Sequence, residues 1–112
     1  MALSLTGCRE AADSAAEAMR AGEGPRVLTD LEFRALEAFA DRIIPPDGDF
    51  PGAGALGAVV FMDHYAARKP DVLEGIRHGL EVLSARVDEA YPEAGGFAEL
   101  DGDARDAVVA KL

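Results

Sequence analysis

Apolar residues recur at alternating spacings of three and four between residues 73 and 87. The series consists of Leu73, Ile76, Leu80, Leu83 and Val87. This spacing places one apolar stripe along an α-helix, and a stripe of this width suits the seam of a helical bundle. No stretch of the sequence alternates apolar and polar residues as a half-buried strand does. The pattern therefore predicts an all-α fold.

The first core helix is marked at both of its ends. Thr29 and Glu32 form a capping box, in which the hydroxyl accepts from the N3 amide and the glutamate reaches back. Its expected apolar face consists of Leu36, Phe39, Ala40 and Ile43. Pro45 and Pro46 end the helix, because proline lacks the amide N–H and disfavours helix in the residue before it.

Three further helices are predicted. A second core helix is expected from about Ala55 to Ala67, with core candidates Leu56, Val59, Val60 and Phe61. Asp71, with Glu74 three residues later, is expected to cap the helix of the apolar series. Asp101 caps a last helix that reaches Leu112 without a stop signal, so we expect the chain to be cut short there. Residues 28–112 are thus predicted to form a small bundle of about four helices, with a Pro/Gly-rich loop after the first core helix.

That loop reads PPDGDFPGAGALG and contains Gly52, Gly54 and Gly57 at the spacing G-x-G-x-x-G. In a dinucleotide-binding fold this motif follows a buried strand and places the pyrophosphate on the next helix N-terminus. Here an amphipathic helix precedes the motif, and Asp47 and Asp49 would repel a phosphate. The glycines are therefore predicted to form a turn between two helices.

The charge balance and the polar residues limit the classes of function. The net charge is -10, from 21 acidic and 11 basic side chains, which argues against nucleic acid and against docking on anionic lipid. No apolar run approaches the roughly 20 residues of a membrane helix. His64 and His78 lack metal-ligand spacing around them, and no serine lies in a nucleophile elbow. No catalytic, metal or cofactor site is predicted in this chain.

Residues 1–27 are expected to be an N-terminal tail outside the folded domain. Leu5-Thr-Gly-Cys8 matches a lipobox, in which the cysteine is lipidated, although the seven residues before Cys8 contain no Lys or Arg. Two interpretations stay open: the remnant of an export or lipoprotein signal lipidated at Cys8, or a free cysteine in a frayed tail. The Ala-rich residues that follow, ended by Gly22 and Gly24, are typical of a tether.

The order of these segments resembles subunit 3, the small subunit, of gluconate 2-dehydrogenase. The resemblance is carried by LTDLEFRALEAFADRIIPPD (residues 28–47), PGAGALGAVVFMD (51–63), GIRHGLEVL (75–83) and GFAELDGDARDAVV (96–109). The D-R-I-I-P-P-D block followed by P-G-A is the most specific part. The resemblance implies an accessory subunit that is not an enzyme by itself and carries no cofactor of its own.

In such complexes a large FAD-containing flavoprotein of the glucose–methanol–choline type oxidises a sugar or polyol, and a cytochrome subunit with haem c carries the electrons onward. The small subunit is expected to aid assembly or Tat export of the flavoprotein. This implies a periplasmic or cell-envelope location, with the membrane reached only through a lipid anchor or the complex. No arginine pair precedes Cys8, so a cytoplasmic location is expected if the N-terminus is genuine. The alternative is a free-standing periplasmic helical lipoprotein or adaptor without a redox partner.

Four residues are candidates for the contact with a partner. The Pro/Gly-rich loop, held by two helices, is expected to present Ile44, Phe50 and Leu56. Phe50 is the sharpest of these, since exposed aromatic residues tend to anchor interfaces; alternatively it folds back as a lid on the core. Arg42 would form a partner-facing ion pair, or would only complement the dipole at the end of its helix.

Overall fold

A computed structural model describes residues 5–112, and the regular secondary structure in this range is helical. The α-helices are α1 (Leu5–Ala21), α2 (Asp30–Ile43), α3 (Ala58–Arg68), α4 (Pro70–Ala90) and α5 (Gly102–Val109), and one 3-10 turn covers Phe97–Glu99. The all-α prediction is confirmed. The described range has five α-helices rather than about four, because the segment expected to be a tether contributes α1.

The start of α2 is the predicted capping box. Thr29 Oγ1 accepts from the Glu32 N–H at 3.1 Å, and the Thr29 N–H donates to Glu32 Oε1 at 2.8 Å. Arg77 of α4 donates to Glu32 Oε2 at 2.9 Å, and this hydrogen bond holds the pKa of Glu32 below its usual value. The cap of α2 is thereby tied to α4. At its other end α2 stops at Ile43, as the following prolines predict.

The start of α4 differs from the prediction. Its N-cap is Lys69 and Pro70 occupies the first helical position, so Asp71 and Glu74 lie inside the helix and do not form the expected cap. Proline suits this position because its fixed φ is helical and an N–H there would have no partner in the helix. Since α3 ends at Arg68, a single residue joins the two helices.

The main core lies between α2, α4, the 3-10 turn and α5. Its buried members are Ala38, Leu83, Val87, Phe97, Leu100 and Val108. Phe39 packs against this core with its ring centroid 6.2 Å from that of Phe97 and the two rings tilted by 58°. The last helix contributes Val108 and begins, as predicted, at an Asp101 cap that accepts from the Ala104 N–H at 2.9 Å.

Two residues expected in the core are more than half exposed: Ile43 and Leu56. Ile43 is the last residue of α2, and Leu56 lies before the first residue of α3. Neither position therefore faces the packed interior. Val59, one turn further along, is buried as expected.

The first helix packs antiparallel against α3. The contacts, in order along α1, are Glu10 with Arg68, Ser14 with His64, and Met19 with Gly57. The apolar side chains that α1 buries are Ala11, Ala15 and Ala18. The structure therefore differs from the expected tether over these residues. Alanines at helical spacing form a packing face without the large apolar residues that normally reveal one.

We expect Thr29→Ala to lower the free energy of unfolding by about 1 kcal/mol, because an N–H in the first turn of α2 loses its acceptor. Chemical denaturation followed by circular dichroism measures this change. Ser84→Ala, at an exposed position of α4, is the control and should change stability by less than about 0.5 kcal/mol. Equal effects of the two substitutions would show that the capping box contributes nothing.

Candidate functional site

The loop between α2 and α3 is built on its three glycines. Gly52 and Gly57 have φ angles of +93° and +85°, in the left-handed region that favours glycine. Gly54 is required for a different reason: a Cβ atom there would lie 2.9 Å from Asp41 Oδ1, the oxygen that accepts the Gly54 N–H at 2.8 Å. The glycines thus form a turn between two helices, as predicted.

Backbone hydrogen bonds hold this loop at its tip and at its base. At the tip, Asp47 and Phe50 exchange two N–H···O bonds, each of 2.9 Å, around Gly48 with a φ of +57°. At the base, the Ala53 N–H donates to the Ile44 carbonyl at 3.0 Å. The loop is therefore fixed by its own contacts before any partner is bound.

Large apolar side chains are exposed on this loop. Ile44, Phe50 and Leu56 are 52%, 40% and 58% exposed, and we call these three residues the loop surface. Phe50 is partly covered and partly open to solvent, so both of its expected roles, partner anchor and lid on the core, stay predictions. Exposed Met19, at the end of α1, lies against Gly57 at the edge of the loop. Exposed apolar side chains of this size on an ordered loop are candidates for contact with another protein.

Arg42, unlike the other three partner-contact candidates, is paired with a residue of its own chain. Its Nε and Nη2 donate to the two carboxylate oxygens of Asp106 in α5, at 2.7 and 2.6 Å. The guanidinium fork matches a carboxylate in this bidentate geometry, and it holds the pKa of Asp106 below its usual value. Arg42 therefore joins α2 to α5 within the chain.

Two acids of α2 lie beneath the loop. Glu37 and Asp41 are one helical turn apart, and both approach Gly54. Burial, and then the neighbouring Asp41 carboxylate, raise the pKa of Glu37. Because Asp41 accepts the Gly54 N–H, Asp41 positions the loop.

Beneath α1, Asp63 and His64 form a buried polar pair that the sequence analysis did not identify; each residue is 1% exposed. The Asp63 carboxylate accepts three backbone N–H groups, from Arg26 at 2.6 Å, Val27 at 3.0 Å and Leu28 at 2.9 Å. Nδ1 of His64 lies 2.6 Å from Ser14 Oγ. The sequence did contain one indication that Asp63 matters: it is the last residue of PGAGALGAVVFMD, one of the segments that carry the family resemblance.

Ser14 and His64 lie at the distance of a nucleophile and its base, yet the arrangement differs from a catalytic triad. The orienting carboxylate of a triad accepts from the histidine, whereas Asp63 directs both oxygens to backbone amides of residues 26–28. His64 is also closed to a substrate by its burial, which lowers its pKa. These residues join α1 and residues 26–28 to α3.

Cys8 is half-buried in α1, beside Tyr65 of α3. Burial, and then the neighbouring thiol, raise the pKa of the Tyr65 hydroxyl. Lipidation of Cys8 stays a prediction. Over residues 5–112, no group of three or more His, Cys, Asp or Glu side chains is placed to hold a metal ion. In the same range, no helix has the length and apolar character to cross a membrane.

A second apolar region is a groove of about 380 Å³ between α2 and α4. It is lined by Leu36, Phe39, Met62, Ile76, Gly79, Leu80, Val82, Leu83 and Leu112. Every lining residue is apolar, so the groove offers no titratable group. A Cβ atom added at Gly79 would meet nothing within 4 Å, which shows how open this side of α4 is.

The glycine geometry predicts opposite effects of two alanine substitutions. Gly54→Ala should destabilise the fold by about 1–3 kcal/mol, because the new methyl group overlaps Asp41 and Glu37. Gly79→Ala should leave stability unchanged or raise it by up to about 1 kcal/mol, since alanine favours the helix and the site is open. Urea denaturation compares them. A tolerated Gly54→Ala would contradict the close approach.

Asp63→Asn tests the buried carboxylate. The amide presents N–H donors to N–H donors and removes the charge that accepts three hydrogen bonds, so we expect about 3 kcal/mol of destabilisation or more. Asp88→Asn, at an exposed position of α4, is the matched control and should change stability by less than about 0.5 kcal/mol. Thermal denaturation of both variants provides the comparison, and equal values would contradict the role of Asp63.

The family model described as gluconate 2-dehydrogenase subunit 3 matches residues 30–112. The match begins with the first residue of α2 and includes the loop surface, Asp63 and the main core, whereas α1 precedes it. Comparisons with curated proteins and with solved structures found no match. The matched segment is well over half of the chain and confirms the resemblance read from the sequence. The chain therefore belongs to the gluconate 2-dehydrogenase subunit 3 family.

Proposed function

We propose that this chain is a non-catalytic accessory subunit that binds the large flavoprotein of a dehydrogenase complex through the loop surface. The family is that of a dehydrogenase subunit, which supports the accessory role. The observation that carries the proposed contact is the exposure of Ile44, Phe50 and Leu56 on a loop held by internal hydrogen bonds. A loop already ordered loses less conformational entropy on binding, which favours its use as an interface.

The partner would supply the chemistry. We infer a large FAD-dependent subunit of the glucose–methanol–choline type acting on a sugar or polyol, with a haem c cytochrome as a further subunit. The net charge of -10 suits a partner with a basic contact face. In this division of work the present chain stabilises the flavoprotein during assembly or export, and the complex acts in the periplasm or cell envelope.

Purification of the tagged full chain from its native cells tests the subunit role. Mass spectrometry and the visible spectrum of the eluate identify the partner. A large oxidoreductase that co-purifies in about equal amount, with flavin absorbance, is the expected result. A colourless eluate without an oxidoreductase would overturn the proposal and favour the free-standing adaptor.

The loop surface predicts which substitution breaks the complex. Phe50→Asp should weaken binding to the co-purified flavoprotein by about 30-fold or more, because it replaces an aromatic anchor by a charge. Leu31→Asp is the control: Leu31 is 75% exposed and lies at the opposite end of α2, roughly 20 Å from Ile44 at 1.5 Å per residue.

Surface-based binding measurements with both variants, each shown to be folded by circular dichroism, decide the outcome. If both bind like the unchanged chain, the loop surface is not the interface, whereas the subunit role rests on the co-purification. If both lose binding equally, the effect is one of added charge and the assignment to the loop also fails.

A further inference from the structure

The helix α1 lies outside the family match and packs along the length of α3. It follows α3 in the antiparallel direction, from the Glu10–Arg68 ion pair to the contact of Met19 with Gly57. Its buried apolar side chains are Ala11, Ala15 and Ala18. Each alanine removes only a methyl group from water, so hydrophobic burial holds α1 less firmly than leucine or valine would.

The middle of this contact is polar and buried. Ser14 Oγ lies 2.6 Å from Nδ1 of His64, which is almost fully buried in α3. The charged groups that act on the imidazole are Asp63 beside it in α3, and Glu23 and Arg26 from the segment after α1. Asp63 already accepts three backbone N–H groups, so its charge is stabilised without His64.

The segment after α1 is fastened at both ends, and at the α1 end the Gly22 and Glu23 N–H groups donate to the Met19 and Ala18 carbonyls at 3.3 and 3.0 Å. Residues 26–28 are fastened to Asp63 by their amides. Gly22, with a φ of +68°, and Gly24 have no atoms near the position of an added Cβ. Rotation at Gly24, which lies between these two attachments, would move α1 while residues 26–28 and the family domain stay in place.

We propose that α1 is a pH-sensitive latch, which protonation of His64 releases from α3 by movement about Gly24. Release would expose the face of α3 that carries His64 and would detach Met19 from Gly57. The latch goes beyond the proposed subunit role and does not depend on a dehydrogenase partner.

The direction of the pH dependence of α1 docking follows from the buried position of the imidazole. Burial lowers the pKa of His64 below its ordinary value of 6.5, Arg26 lowers it further, and Asp63 and Glu23 oppose the change. Above pH 6.5 the imidazole is neutral whether α1 is docked or released, so docking is at full strength. As the pH falls below 6.5 the released form binds the proton first, and the docking constant falls by up to about tenfold per pH unit until the docked form is protonated as well.

Heteronuclear NMR of the labelled full chain between about pH 7.5 and about pH 5 tests the latch. In acid we expect the amide signals of residues 7–21 to move to random-coil positions, while those of α4 keep their shifts. His64→Gln removes the titration and should keep α1 docked at both pH values. The matched control is His78→Gln, at an exposed position of α4, which should release α1 as the unchanged chain does.

An α1 that stays docked in acid in the unchanged chain would overturn the proposal. So would acid release that persists in His64→Gln or disappears in His78→Gln. If His64→Gln does not fold, as judged by its α4 signals, the imidazole titrations of the unchanged chain decide. The latch then requires the pKa of His64 to lie below its ordinary value of 6.5, and a pKa at or above 6.5 would refute it.

Discussion

The carboxylate of Asp63 is the interaction on which the arrangement of this protein depends. A buried carboxylate is costly unless its oxygens are hydrogen-bonded, and three consecutive N–H groups from residues 26–28 meet that need. These bonds place the chain just before α2 onto α3. Leu28 is buried there, and the capping box begins at the next residue, Thr29. One side chain thus sets where α2 starts and where the chain returns from α1.

The helix α3 supports both sites to which we assign a role, the loop surface and the contact with α1. Its first residues follow Gly57, where the loop surface ends and Met19 of α1 makes its contact. Its middle carries His64, on which α1 rests. Because Met19 lies at the edge of the loop, release of α1 in the proposed latch would also alter the border of the proposed flavoprotein contact. The two proposals are therefore separate in their tests but adjacent in the molecule.

The polar and apolar groups of this chain are distributed as expected for an accessory subunit. Its buried polar pair, Asp63 and His64, serves contacts between its own segments. Its bidentate ion pair, Arg42 with Asp106, joins two of its own helices. At the loop, the apolar side chains of Ile44, Phe50 and Leu56 face solvent together with the carboxylates of Asp47 and Asp49. Exposed apolar side chains of this size suit the protein contact proposed above. Membership of a dehydrogenase subunit family agrees with that distribution.

The amino-acid sequence by itself determined what depends on neighbours a few residues away. The Thr29 and Asp101 caps, the end of α2 before two prolines, the apolar stripe of α4 and the glycine turn were all readable, because a cap or turn is completed within about four residues. One local prediction was wrong: Pro70, favoured at the first helical position, displaced the cap expected at Asp71.

Only the tertiary structure decided what joins distant parts of the chain. The bond from Asp63 to Arg26 spans 37 positions, that of His64 to Ser14 spans 50, and that of Arg42 to Asp106 spans 64. No periodicity encodes such pairs, so Arg42 could be placed at a helix end but not matched to its partner. The docking of α1 on α3 could not be predicted from the sequence for the same reason. An alanine face is apolar enough to pack only where another helix supplies a close, complementary surface, and that surface exists only once α3 is folded.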